Sequence, residues 1–197
     1  MAQEKVEYRT NVYGILNRVA KNRGWEIGQL RAARKKMSIS FFARFGVKTI
    51  DKIFERTLSG LDYNGKPFPK YSEEYKKSLE FKIYGKSDKV NLLLSGEMLN
   101  SMTWLSRRNG DLKVYILGKH NNDKARGHHS GKYGKSKNIK VRRFLGLSNS
   151  EENEILESSL REFREPFAFP TEDRVIVRTF EGRNEIIKIE QPTQSGF

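Results

Sequence analysis

Three histidines, His120, His128 and His129, are the residues of this chain best suited to chemistry. All fall in one stretch rich in glycine, asparagine and lysine. A metal site there would need carboxylates or further imidazoles, and only Asp123 lies close in sequence. His120-Asn121-Asn122 shares only its opening with a His-Asn-His nuclease motif, and nothing else of that pattern follows. Gly131-Lys132 and Gly134-Lys135 lack the upstream glycine and the preceding strand of a phosphate-cradling loop. Ser95 has no base beside it in sequence and reads as a helix cap. Glu151-Glu152 falls at a helix start, where capping and the helix dipole account for both acids. Cysteine is absent, which removes thiol catalysis, thiolate metal sites and disulfides. No acid–base pair and no activated nucleophile assembles from these residues. The expectation is therefore a protein that is not an enzyme and carries no metal and no cofactor.

The same stretch suits contact better than catalysis. Lys124, Arg126, His128, His129, Lys132, Lys135, Lys137, Lys140, Arg142 and Arg143 crowd a segment with few apolar residues. Such a loop fits an acidic protein neighbour. It also fits sequence-independent contact with nucleic acid, with Lys132, Lys135, Lys137 and Lys140 neutralising phosphates beside Tyr133. No base-reading module and no cluster of stacking aromatics accompanies it. Loops as long as 118–143 are usually functional or disordered.

The elements that hold this segment are legible in the periodicity. Residues 1–40 read as a basic N-terminal arm with helical character, Val12, Ile15, Leu16 and Val19 recurring at helical spacing before Gly24. A strong helix is predicted over 41–58, with Phe42, Phe45, Thr49 and Ile53 on one face, Ser40 as N-cap and Gly60 as the stop. Asn64-Gly65 and the prolines after it predict an ordered loop anchored by Tyr63 and Phe68. Ser72 caps a second helix whose apolar side is Tyr75, Leu79 and Ile83, ending at Gly85. A turn of helix at 95–99 leads to a hairpin, strand 101–105 returning through Arg108-Asn109-Gly110-Asp111 to strand 112–117. Ser148 and Glu151 form a capping-box pair opening a third helix, with Ile155 or Leu156, Leu160 and Phe163 as its buried stripe. Pro166 and Pro170 stop that helix, and 174–180 with 185–189 read as a second hairpin. The fold class is α+β: an antiparallel sheet of hairpins packed with two or three helices, plus the N-terminal helical arm and the long basic loop. The domain plan is an arm at 1–40, one domain at 41–190 and a flexible tail at 191–197.

Composition bounds the rest. Apolar residues are 36% of the chain and charged ones 31%, which favours long solvated segments or surfaces buried only against partners. The net charge of +14 is unevenly spread: +8 over 1–50, +1 over 51–106, +10 over 107–150 and −5 over 151–197. Such segregation suits association with further copies of the chain, or one-sided contact with nucleic acid. No apolar run is long enough to cross a bilayer, and Met1–Arg9 lacks the apolar core of a secretion signal.

Three stretches together resemble the virion-morphogenesis, or tail-completion, family of tailed bacteriophages. The first runs from Phe54 through Gly60-Leu61-Asp62-Tyr63-Asn64-Gly65-Lys66-Pro67-Phe68 to Tyr71, Ser72 and Tyr75. The second is Leu92-Leu93-Leu94-Ser95-Gly96-Glu97-Met98-Leu99-Asn100-Ser101, similar to the family's Leu-x-x-Ser/Thr-Gly-x-Leu/Met-x-x-Ser segment. The third joins Ala125-x-x-His128-x-x-Gly131 to Arg143-Phe144-Leu145-Gly146-Leu147-Ser148. His129 stands where the family often has Gln, and no proline precedes Phe144. The resemblance covers roughly 41–164 and implies structural roles for Asp62, Gly65, Phe68, Ser95, Gly96, Phe144, Leu145 and Gly146. It implies a small subunit forming a homo-oligomeric ring in the neck of the virion, assembled in the host cytoplasm. Its partners would be portal or adaptor proteins and tail-tube or tail-terminator proteins, with genome DNA passing through the ring and no membrane involved. The runner-up from the residues alone is a nucleic-acid-binding protein that grips phosphates with the basic loop.

Overall fold

The computed structural model describes residues 6–93, 96–132 and 140–162, and the backbone of 175–181 and 184–190. Helices pack on a three-stranded antiparallel sheet, an α+β arrangement. The sheet order is β1 (Glu7–Asn11), β3 (Asp111–Ile116), β2 (Met102–Ser106). The expected hairpin forms β2 and β3, in a register pairing Met102 with Ile116 and Trp104 with Val114. Alternation puts Met102, Trp104, Leu112, Val114 and Ile116 on the buried face. Gly110 closes the turn at φ +84°, and the ring of Tyr13 lies 2.5 Å from where a Cβ would sit. Only glycine satisfies both the left-handed backbone and that contact.

Across the buried face lies α3 (Ile39–Leu58), its stripe of Phe42, Phe45, Thr49 and Ile53 buried as the periodicity requires. The cap is Ser38 rather than Ser40: Phe41 N–H donates to Ser38 Oγ at 3.3 Å. The buried Thr49 and Thr57 hydroxyls donate to the carbonyls of Phe45 and Ile53, so neither polar side chain is left unmatched in the core. Gly46 lets the helix settle onto Trp104, whose ring would stand 2.5 Å from an added Cβ.

Residues 6–22 are not an arm. β1 pairs with β3, Tyr8 opposite Val114 and Thr10 opposite Leu112. α1 (Val12–Asn22) buries Val12, Ile15, Leu16, Val19 and Ala20 in the same core as α3. The helical stripe expected there is a core stripe, and the strand pairing that carries it into the fold joins residues about a hundred positions apart. Among the described elements of this region, α2 (Ile27–Lys36) keeps an arm-like exposure, with Ala33 as its one buried residue.

The second predicted helix is two short ones. Ser72 caps α4 (Glu73–Lys77) as expected, but the chain turns extended at Ser78, which then caps α5 (Leu79–Ile83). The break turns Tyr75 and Phe81 onto Tyr71, with ring centroids 5.1 and 5.6 Å away. Leu79 and Ile83 face solvent instead, 72% and 69% exposed. The turn of helix is α6 (Glu97–Asn100).

The long loop expected at 118–143 is helical over its first half, α7 (Lys119–Ser130). Asn122, Ala125 and Gly127 form a narrow buried face of small side chains. Weak helix formers hold a helix here because tertiary packing supplies what propensity does not. The capping box is present: Glu151 N–H donates to Ser148 Oγ at 3.3 Å and Ser148 N–H to Glu151 Oε2 at 2.8 Å. It opens α8 (Asn149–Glu162), which buries Ile155, Leu156 and Ser159. β4 (Val175–Glu181) and β5 (Asn184–Glu190) form the second hairpin. The expectations for Ser95, Tyr133, Lys135, Lys137, Phe163, Pro166, Pro170 and the tail at 191–197 lie outside the described residues.

Candidate functional site

The first and third stretches of the resemblance meet at Arg56, a residue no sequence pattern singled out. It sits on the last turn of α3 with its side chain 6% exposed. One guanidinium nitrogen donates to Glu151 at 2.7 Å, and the other to the carbonyls of Phe144 and Gly146, each at 2.7 Å. Phe144 is fully buried, and Leu145 and Leu147 are buried beside it. The planar fork of arginine suits three acceptors at fixed angles, so one side chain ties α3, the segment 144–146 and the cap of α8 together.

The 61–68 loop docks on the same place. Tyr63 N–H donates to Arg143 O at 3.0 Å, and Tyr63 packs over Gly146. Asp62 organises the turn around Gly65, its carboxylate accepting from the backbone N–H groups of Asn64 and Lys66. Phe68 is buried below. His129, at the end of α7, completes the junction: its Nε2 accepts from Leu145 N–H at 3.2 Å, and its ring stands edge-on to Phe144 with centroids 5.2 Å apart. The second stretch comes to α7 from the other side, Gly96 preceding α6 in the left-handed conformation and Glu97 facing Lys124 at 3.9 Å.

The ten basic residues expected to make partner or nucleic-acid contacts therefore separate. Arg142 is buried, its guanidinium on the carbonyls of Pro69 and Lys70 and 5.4 Å from the centre of the Tyr71 ring. Lys86 stands 5.7 Å from the same ring, and burial lowers its pKa. His128 and His129 are half-buried. Burial, reinforced by Arg142, His129 and Lys86, pushes His128 down to about 4. Burial and Arg143 push His129 to about 4 as well. Arg126 pairs with Asp123 at 3.1 Å. Lys132, Lys140 and Arg143 remain exposed. Among the described members of this set, Arg142, His128 and His129 are thus taken inward at the junction, a use that basic composition alone does not distinguish from contact.

Charge segregation also has an internal use. α8 carries its acids onto the cations of α1 and α3, pairing Arg18 with Glu152 at 2.5 Å, Arg23 with Glu157 at 2.6 Å, Lys48 with Glu162 at 2.6 Å and Lys52 with Glu154 at 3.0 Å. Glu152 is buried and also accepts from the Tyr8 hydroxyl. Burial first, and then that carboxylate, hold the Tyr8 pKa well above its ordinary value.

Concavities open on the surface. One of about 480 Å³ is lined by Arg9, Thr10, Leu105, Arg107, Asp111, Leu112 and Lys113 at the turn end of the sheet. One of about 190 Å³ lies between the 62–69 loop and Val141, Arg142 and Arg143. Neither brings together an imidazole and a carboxylate. Among the described residues, no three His, Asp or Glu side chains gather as a metal ion would require. Among them, no helix is long and apolar enough to cross a membrane. No known protein family, no curated protein and no solved structure matches the chain.

Proposed function

We propose that the chain is a non-catalytic structural subunit that works as one member of a homo-oligomeric ring. The particular reading is a tail-completion, or head–tail connector, protein in the neck of a tailed phage virion. Its neighbours there would be portal or adaptor proteins on one side and tail-tube or tail-terminator proteins on the other. The observation that carries this reading is the convergence at Arg56. Residues quoted for the resemblance from stretches some eighty positions apart, Tyr63 and Gly146 among them, touch in the fold. Residues chosen for sequence likeness alone have no reason to do so.

A second feature supports assembly. α5 presents Leu79 and Ile83 outward, followed by a half-exposed Tyr84. Large apolar residues clustered on one exposed turn suit burial against a protein neighbour. The test is immunogold labelling of purified particles through this subunit, with analytical ultracentrifugation of the protein alone and with neck proteins. Label at the head–tail junction and ring-sized species are expected. A protein absent from particles, and monomeric under every condition, refutes the proposal.

A further inference from the structure

We propose that α2 is a binding surface for the phosphate backbone of nucleic acid. Arg31, Arg34, Lys35 and Lys36 fall within its ten residues, and no acid occupies the helix. All four are exposed, and so is Lys21 at the end of the neighbouring α1. Arg34 anchors the helix, donating to Asn17 Oδ1 at 3.0 Å and standing 5.9 Å from the centre of the Tyr13 ring. Arg31 and Lys35 lie four apart on one face, a spacing at which like charges oppose helix formation. The helix dipole accounts for cations at the C-terminal end, where Lys35 and Lys36 sit, but not for Arg31 in the middle.

Among the described residues, several other cations are less free for such a role. Arg18 of α1, Arg23 just past its end, and Arg44, Lys48, Lys52 and Arg56 of α3 are paired with acids of α8. Residues 73–89 interleave lysines with Glu73, Glu74, Glu80 and Asp88 around exposed Leu79 and Ile83, the mixed surface of a protein contact. α2 differs: its one strongly exposed apolar residue, Ile27, stands at the end remote from the cations. Protein interfaces are apolar or aromatic at their centres and depleted in lysine. Phosphates need only the charge. Nucleic acid is therefore the fitting partner of α2. The proposal does not depend on the neck reading.

The test is fluorescence anisotropy of a mixed-sequence DNA duplex against the full chain, across 50–200 mM salt. A triple variant, Arg31→Gln, Lys35→Gln and Lys36→Gln, is compared with a charge-matched control, Lys66→Gln, Lys70→Gln and Lys77→Gln. Wild type should bind with a Kd of roughly 10⁻⁴–10⁻⁶ M near physiological salt. The α2 variant should lose roughly 10²–10³-fold at ~0.1 M salt, its log–log salt slope falling by roughly 2–3. Arg31→Gln alone should take about one unit off the slope, which guards against an unfolded triple variant. The control should keep most of the affinity. No binding by wild type overturns the proposal, as do equal losses in both triple variants. Polyglutamate competing as well as DNA at equal charge also overturns it, pointing instead to an acidic protein.

Discussion

At the scale of single residues, two side chains set the behaviour of the junction. Arg56 is buried with three acceptors, so its removal leaves the carbonyls of Phe144 and Gly146 without this donor and Glu151 without its cation. Arg56→Met should cost about 3–5 kcal/mol in urea unfolding. Arg56→Lys should lose less, since an ammonium keeps the ion pair but cannot span both carbonyls. His129 makes the junction sensitive to acid. Both imidazoles of the 128–129 pair are held at about 4 in the fold against an ordinary 6.5. The unfolded chain thus takes up protons first as pH falls. Their stabilising effect is whole above pH 6.5 and is lost progressively toward pH 4. The melting temperature should therefore fall between pH 6.5 and 5, above the range in which Glu7, Asp111 and Glu162, all shifted downward, take up protons. His129→Gln keeps an oxygen to accept from Leu145 N–H and removes one of the two titrations. That variant should show a shallower slope, and an unchanged slope would place the sensitivity elsewhere.

At the scale of elements, packing rather than propensity decides. Phe144 is fully buried between Arg56, His129 and the start of α8. Phe144→Ala should cost roughly 3–5 kcal/mol, read as a lower denaturant midpoint. Gly46→Ala places a methyl group against the Trp104 ring and should cost about 1–3 kcal/mol by overpacking, despite the better helix propensity of alanine. If α1 were an arm, removing residues 1–40 would leave a folded domain. Because β1 and α1 complete the sheet and the core, that truncation should abolish the cooperative thermal transition seen by circular dichroism.

At the scale of the whole molecule, the fold turns a segregated charge pattern partly inward, the acids of α8 lying along α1 and α3. Among the described residues outside these pairs, two faces differ in character, the basic one of α2 and the mixed apolar one around α5. Leu79→Ser with Ile83→Ser should leave the melting temperature nearly unchanged, as both side chains are in solvent. If the chain assembles into the proposed ring through this face, the same pair should reduce ring-sized species in ultracentrifugation. Unaltered assembly would move the subunit contact to another face.

Sequence by itself determined the features that are local. The stripe of α3, the turn at Arg108–Asp111, the capping box of Ser148 and Glu151 and the second hairpin each follow from spacing and caps within one element. Tertiary structure alone decided which basic residues serve the interior. Arg142 and the two imidazoles carry the same sequence signature as exposed Lys132 and Lys140, and only distant contacts separate them. It also decided that residues 6–22 belong to the core, because β1 finds its partner in β3 far along the chain. The helix at α7 depends on packing for the same reason: its own residues favour a loop, and burial of Asn122, Ala125 and Gly127 outweighs them.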